Sequence, residues 1–294
     1  MKFFIADAFT DELFGGNPAG VVYIPEGADF PDDEIMRKTA AELRYSETAF
    51  IKKLGDKKYH IRYFTPAAEV DLCGHATIAT FFTLYASGLI EVEDVCDFKT
   101  LAGDLQAQLT DTGVMMDMGE AKSFGLIDSE DALEELYKVM GAASAEVPEY
   151  AGEMLYPEMV STGLKDILMA VKDLDALNAL GPDMKALSAL SERMDVTGVH
   201  AFTMNAPDGE IHCRNFAPLY DIPEEAATGT SNGALTYYLY ERGLIKEGRE
   251  NLFIQGEAMG RPSRIHSRLT ERKGRVHIQV GGEAAILAEG VINI

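Results

Sequence analysis

The chain runs twice through one order of landmarks, and that repetition limits the possible folds more than any single motif does. Ala49-Phe50 is followed 13 residues later by Arg62-Tyr-Phe64-Thr-Pro66, then by an apolar run ending Gly88-Leu89-Ile90. Ala201-Phe202 is followed 13 residues later by Arg214-Asn-Phe216-Ala-Pro218, then by a second apolar run ending Gly243-Leu244-Ile245. Gly74 and Gly229 each lie 14 residues before their Gly-Leu-Ile. Four matches in one order mark an internal duplication. The copies agree at scaffold positions and differ at polar ones. Glu47 corresponds to Val199, Cys73 to Thr228 and His75 to Thr230. A duplicated scaffold with an unsymmetrical polar set predicts one active site built between two lobes.

At 294 residues there is room for two domains of ordinary size. A formal charge of −22 argues against nucleic acid, which needs patches of Lys and Arg. It also means that a small anionic substrate must be attracted locally, because the global field repels it. Cys73, Cys96 and Cys213 form no CxxC pair, which points to a reducing, cytoplasmic compartment. The six His show no HExxH spacing, so no metal is expected. Leu72 to Ile90 carries no Asp, Glu, Lys or Arg. His75, Thr77, Thr80, Thr83 and Ser87 dilute it, however, and its counterpart around Leu235 to Tyr240 is short, so a buried helix rather than a membrane span is expected.

Hydrophobic periodicity predicts an amphipathic helix over Asp32–Arg44, with Ile35, Met36, Thr39, Ala40 and Leu43 on one face. Strands are expected at Val21–Ile24, Thr48–Ile51 and Tyr59–Phe64, the last two joined by the turn Leu54-Gly55-Asp56-Lys57. The second copy has strands at Ile167–Val171, Val199–Met204 and Glu210–Phe216, with a helix over Asp183–Met194. A further amphipathic helix spans Ser129–Met140, and a last strand is read at Glu289–Ile294. Ala76–Leu84 and Ala234–Tyr240 are apolar nearly all round, so each should be buried on every side.

Both buried helices open on small polar loops, Cys73-Gly74-His75 and Thr228-Gly229-Thr230-Ser231. A helix start offers unpaired N–H groups and partial positive charge, a place for a carboxylate. Thr77 and Ser231 as simple caps are the plainer reading. Glu47 stands where a strand turns apolar, and burial there should raise its pKa towards a range useful for proton transfer. His75 at a helix N-terminus should be biased to the neutral form. Glu224 and Glu225, before the second helix, are substrate contacts or solvated charges. Cys73 is a possible reactive thiol, but Thr228 at the matching place excludes a two-thiol racemase.

Phe14-Gly-Gly-Asn-Pro-Ala-Gly20, Ser46-Glu-Thr-Ala-Phe50, Arg62-Tyr-Phe-Thr-Pro66, Leu72-Cys-Gly-His-Ala-Thr77 and Ala227-Thr-Gly-Thr-Ser-Asn-Gly-Ala234 together resemble the phenazine-biosynthesis PhzF-like family along essentially the whole chain. The resemblance implies an α+β, diaminopimelate-epimerase-like fold: two similar lobes, each a rolled, mostly antiparallel sheet around a central buried helix. It further implies a cofactor-free, commonly homodimeric isomerase, the best-understood member acting on trans-2,3-dihydro-3-hydroxyanthranilate. By resemblance, Glu47 is the general acid/base, and His75, the second catalytic residue, polarises or holds the substrate. Asn17, Gly74, Glu225, Gly229, Thr230 and Ser231 hold the substrate. The family usually has Asp-Pro-Ala-Thr-Gly-Ser where this chain has Glu225-Ala-Ala-Thr-Gly-Thr230, which leaves the substrate open.

The expectation is a first lobe of residues 1–118 joined by 285–294, and a second of 119–284, with the site in the cleft. The expected ligand is a small anionic metabolite, cyclic or unsaturated, and neither nucleic acid nor membrane is a partner. Two rivals stand: an amino- or imino-acid epimerase using Cys73 with Glu47 or His75, and a binding protein that has lost the chemistry.

Overall fold

A tight turn starts the fold. At Gly16 φ is +59°, and a Cβ there would lie 2.2 Å from the carbonyl oxygen of Ala8, so only glycine fits. The turn lays β1 (Lys2–Ala8) antiparallel on β2 (Asn17–Tyr23), with Ala8 opposite Asn17. The computed structural model describes residues 1–272 and 274–294 and divides into two units, 1–117 with 281–294 and 118–280.

The first unit continues through α1 (Asp33–Leu43), β3 (Thr48–Gly55), β4 (Lys58–Phe64), β5 (Glu69–Val70), α2 (Gly74–Ala86), β6 (Val95–Thr100), β7 (Gly103–Thr110) and β8 (Gly113–Asp117). The C-terminal strand, Ala284–Val291, pairs antiparallel with β1; it starts and stops earlier than the apolar pattern of residues 289–294 indicates. The β2–β3 and β4–β6 pairs are parallel, whereas β1–β2, β3–β4, β4–β5, β6–β7, β7–β8 and the pair of β1 with the C-terminal strand are antiparallel. Strands β1, β2, β3, β7 and β8 and the C-terminal strand pack on α2.

Nine of the 13 residues of α2 are buried, as its all-round apolar pattern predicts. Its threonines are satisfied inside the helix: Thr77 donates to the carbonyl of Cys73, and Thr80 to that of Ala76. No helix among the described residues is long and apolar enough to cross a membrane. Along α1, Met36, Thr39 and Ala40 are the buried face, and Arg44 ends the helix in the left-handed conformation.

The second unit comprises β9 (Lys122–Leu126), α3 (Glu130–Val139), the ribbon β10 (Glu149–Tyr150) and β11 (Glu153–Met154), β12 (Glu158–Ser161), β13 (Lys165–Ala170), α4 (Leu174–Asn178), α5 (Met184–Met194), β14 (Val199–Thr203), β15 (Ile211–Ala217), β16 (Ile222–Glu225), α6 (Gly229–Glu241), β17 (Glu250–Gln255), β18 (Ser263–Arg272) and β19 (Arg275–Gly282), through which the chain leaves the unit after Val280. Asp183 caps α5 by accepting from the amides of Lys185 and Ala186. Strands β12, β13 and β18 pack on α6.

The duplication extends to side-chain contacts. In both units a strand pairs parallel with the next, that one antiparallel with a third, and the third parallel with a fourth: β2, β3, β4, β6 and β13, β14, β15, β17. Arg62 makes two hydrogen bonds to Glu69 and lies 5.2 Å from the Phe64 ring centroid. Arg214 makes two to Glu224 and lies 4.9 Å from the Phe216 ring. Glu224 is thus the structural partner of Arg214.

One landmark of the repeat is displaced by a residue. Phe64 pairs with Thr48, whereas Phe216 pairs with Val199, so the Ala-Phe dipeptides differ in register by one. Such a slip turns every side chain to the other face. Phe50 accordingly packs in the cluster with Met36 and Ala40 of α1, while Phe202 meets Tyr238 of α6 edge to face. The counterpart of Glu47 is therefore Gly198, not Val199. Matching backbone bonds agree: Gly20 donates to the carbonyl of Glu47, and Ile167 to that of Gly198.

Candidate active site

In the first unit, Glu47 is the last residue before β3, and Cys73 and His75 flank Gly74 at the start of α2. His75 is 5% exposed, and its Nε2 lies 3.2 Å from Oε2 of Glu47, whose side chain is 17% exposed. Ser46 Oγ is 3.3 Å from the same nitrogen, and the Asn17 amide is 3.2 Å from Nδ1. The Cys73 sulfur lies 3.5 Å from Nδ1. A Cβ on Gly74 would meet nothing within 4 Å, so local packing does not demand glycine there and the helix mouth is open at that point.

The protonation states differ from those expected. Burial pushes the Glu47 carboxyl up, but the hydrogen bond and charge of His75, with help from Ser46 and Cys73, hold it below the ordinary carboxylate range. His75 moves the other way: burial disfavours its charge, yet hydrogen bonds to the Cys73 sulfur and the Glu47 carboxylate, together with the carboxylate's charge, raise it well above the usual imidazole value. Burial, then the nearby Glu47 charge, pushes the Cys73 thiol up to about 11, so near neutral pH it is a thiol and Glu47 is the anion that faces His75. The helix dipole does not decide the state of His75, because a carboxylate 3.2 Å away outweighs it. The result is a carboxylate–imidazolium pair, not a raised acid beside a neutral imidazole.

The α6 mouth of the second unit is built differently. Thr228 Oγ1 donates to Glu225 Oε2 at 2.6 Å, and Gln255 ties the two residues by bonds to Thr228 Oγ1 and the carbonyl of Glu225. The carbonyl of Thr230 accepts from Thr162 Oγ1. Ser231 is 1% exposed; its hydroxyl donates to Asp166 Oδ2 at 2.6 Å and accepts from Asn215 at 3.0 Å. Asn215 also reaches His200 Nδ1 at 3.2 Å, which leaves the ring proton on Nε2, a buried atom that meets no hydrogen-bond partner among the described residues. Neither Thr77 nor Ser231 serves as a plain N-cap: Cys73 and Thr228 hold those positions, without side-chain cap bonds.

Asp166, which the sequence analysis missed, is the most deeply buried acid among the described residues of this unit, where Glu158 is buried as well. Asp166 is 2% exposed, and burial, reinforced by Glu225 and eased by the Ser231 hydroxyl, pushes its carboxyl up to about 7. Burial likewise holds His200 down to about 4. Asp166 sits in an otherwise apolar strand, Ile-Leu-Met-Ala following it, and a lone acid at a strand entry has no pattern that marks it. Asn215 and Gln255 carry no pattern either, and Ser46, although it opens the Ser46-Glu-Thr-Ala-Phe50 motif, was given no role. The structure brings Asn17, Glu47, Gly74 and His75 together in the first unit, and Glu225, Gly229, Thr230 and Ser231 in the second.

A family model described as phenazine biosynthesis-like protein matches residues 6–290. The chain belongs to the PhzC-PhzF family. A relative in this family, an uncharacterized isomerase of Clostridium acetobutylicum, is 34% identical across 98% of this chain and 97% of its own. The crystal structure of a Bacillus anthracis PhzF-family protein superposes with a TM-score of 0.85 at 26% identity, covering 100% of this chain and 99% of that one. A probable proline racemase of Agrobacterium radiobacter, 14% identical with a TM-score of 0.66, shares the fold over 100% of this chain and 93% of its own. The fold is the α+β, diaminopimelate-epimerase-like one, and the family places the chain among the isomerases.

Proposed function

We propose that this isomerase moves a proton between carbons of a small carboxylated metabolite, cyclic or unsaturated, with Glu47 as the base that takes and returns it. The observation that supports this reading most is the Glu47–His75 pair, 3.2 Å apart at the open end of a buried helix. Glu47, as carboxylate, removes a proton from an activated carbon and delivers it to a second carbon of the same substrate, so the net change is an isomerisation. His75, as imidazolium, donates to the charge that develops on the substrate and keeps Glu47 ionised between turnovers. Ser46 Oγ, 3.3 Å from Nε2, accepts from the ring and helps to hold it. The amide at Gly74, at the open mouth of α2, binds the substrate carboxylate.

Proton NMR of trans-2,3-dihydro-3-hydroxyanthranilate in D₂O tests the family substrate. Substrate loss with deuterium entering a ring carbon, absent with Glu47→Gln, supports both class and base. A Glu47→Gln enzyme turning over at the wild-type rate overturns the assignment.

A second reading rests on Cys73, whose sulfur is 3.5 Å from His75. There the thiol acts as acid to Glu47 as base in the epimerisation of an amino or imino acid. Full activity after alkylation of Cys73 removes it.

A further inference from the structure

The sequence carries no metal-ligand spacing, yet folding brings three dissimilar donors to one point. Oxygen of Glu47, nitrogen of His75 and sulfur of Cys73 lie within 4.8 Å of one another. Among the described residues this is the one cluster of three such donors. His75 Nε2 is 3.2 Å from Glu47 Oε2 and 3.8 Å from the Cys73 sulfur. Zinc bonds of about 2.0–2.3 Å in a tetrahedron separate their ligand atoms by about 3.3–3.6 Å. The two measured edges bracket that range and the third lies within 4.8 Å; because the sulfur is also 3.5 Å from Nδ1, binding requires the Cys73 side chain to turn towards Glu47.

We infer that Glu47, Cys73 and His75 form an inhibitory site for a thiophilic divalent cation, zinc above all, with one coordination position left open. The inference rests on donor geometry and chemistry and holds whatever proton Glu47 moves in turnover. A thiolate and a carboxylate together cancel the charge of Zn²⁺, which makes the complex neutral inside a largely buried mouth. Thiolate and imidazole select zinc over magnesium and calcium, which prefer oxygen. Binding expels the thiol proton and one imidazolium proton, while sulfur and nitrogen each form one bond to the metal and Glu47 adds the third. Zinc affinity therefore rises with pH. With Glu47 and His75 both engaged, the bound form has no free base.

The test uses chelator-treated full chain titrated with Zn²⁺ against a chromophoric indicator, and with Co²⁺ as a spectroscopic substitute. One zinc per chain is expected, with a thiolate-to-cobalt charge-transfer band in the near ultraviolet. Cys73→Ser should abolish the band and weaken zinc binding at least about a hundredfold. Cys96→Ser should leave both unchanged. Should Cys73→Ser fail to fold by circular dichroism, Glu47→Gln replaces it, weakening zinc while keeping the band. Zinc that binds equally well to the folded Cys73→Ser chain, or a cobalt complex without the band, overturns the site and assigns the binding to other His–carboxylate pairs such as His266 with Glu250.

Discussion

The two units share a strand plan and an Arg–Glu–Phe contact, yet they place their acids on different strands. In the first, Glu47 stands at the entry to β3, and the neighbouring strand carries Ala19 where its counterpart carries Asp166. In the second, Gly198 takes the place of Glu47; a Cβ there would lie 1.9 Å from the carbonyl oxygen of Phe216, so no side chain fits. Moving the carboxyl one strand over changes its chemistry. Glu47 keeps 17% exposure and a cationic partner and is ionised. Asp166 is buried against a hydroxyl and holds its proton to about pH 7. Environment, rather than residue type, separates a base from a structural acid.

The largest expected effect breaks that comparison at turnover. Glu47→Gln should lower the isomerisation rate by about 10²–10⁴-fold, measured by deuterium entry, whereas Asp166→Asn should leave measurable turnover. Equal losses would mean the two carboxyls act together.

Next comes stability. Arg214 is 9% exposed and bonds Glu224 as well as the carbonyls of Leu177 and Leu180 that end α4. Arg214→Ala leaves Glu224 without its cation and should destabilise by about 3–5 kcal/mol in denaturant unfolding. Arg62, whose side chain is 18% exposed, should cost less when replaced by Ala. The reverse order would remove the argument from burial.

Much of this fold was legible in the sequence. The Arg-x-Phe landmarks are equivalent residues, the all-round apolar runs are the buried helices, and the Gly74 and Gly229 loops open them. The Ala-Phe landmark was not equivalent, because two strands of similar composition can pair one residue out of step and nothing in their residue types records it. The site residues of the first unit were readable from the motifs that surround them. Their charge states were not, because these depend on the distance between Glu47 and His75, which lie on separate segments. Asp166 and its partners were hidden because Ser231, Asn215 and His200 come from three elements.

A smaller effect isolates Asp166. Its carboxyl rises from 3.8 to about 7 on folding, so between those values the native chain keeps a proton that the unfolded chain has lost. Wild-type stability should therefore fall, relative to Asp166→Asn, by about 1.4 kcal/mol per pH unit as pH rises from about 4 to about 7, then run level. Unfolding free energies across that range check the slope, and parallel curves would show that Asp166 is already ionised at low pH.

The smallest effect concerns Cys73. With its thiol pushed up to about 11 and 7% exposed, it should react slowly with iodoacetamide at neutral pH. Glu47→Gln removes the charge that helps to suppress the thiolate, so alkylation followed by mass spectrometry should accelerate several-fold. An unchanged rate would mean that access alone limits the thiol.

The most direct measurement of the contrast is a carbon-13 NMR titration of the side-chain carboxyls, with signals assigned through Glu47→Gln and Asp166→Asn. Glu47 should titrate below the ordinary carboxylate range and Asp166 near 7. A Glu47 signal titrating near neutrality beside an Asp166 already ionised at pH 4 would contradict it and move the buried acid to the first unit.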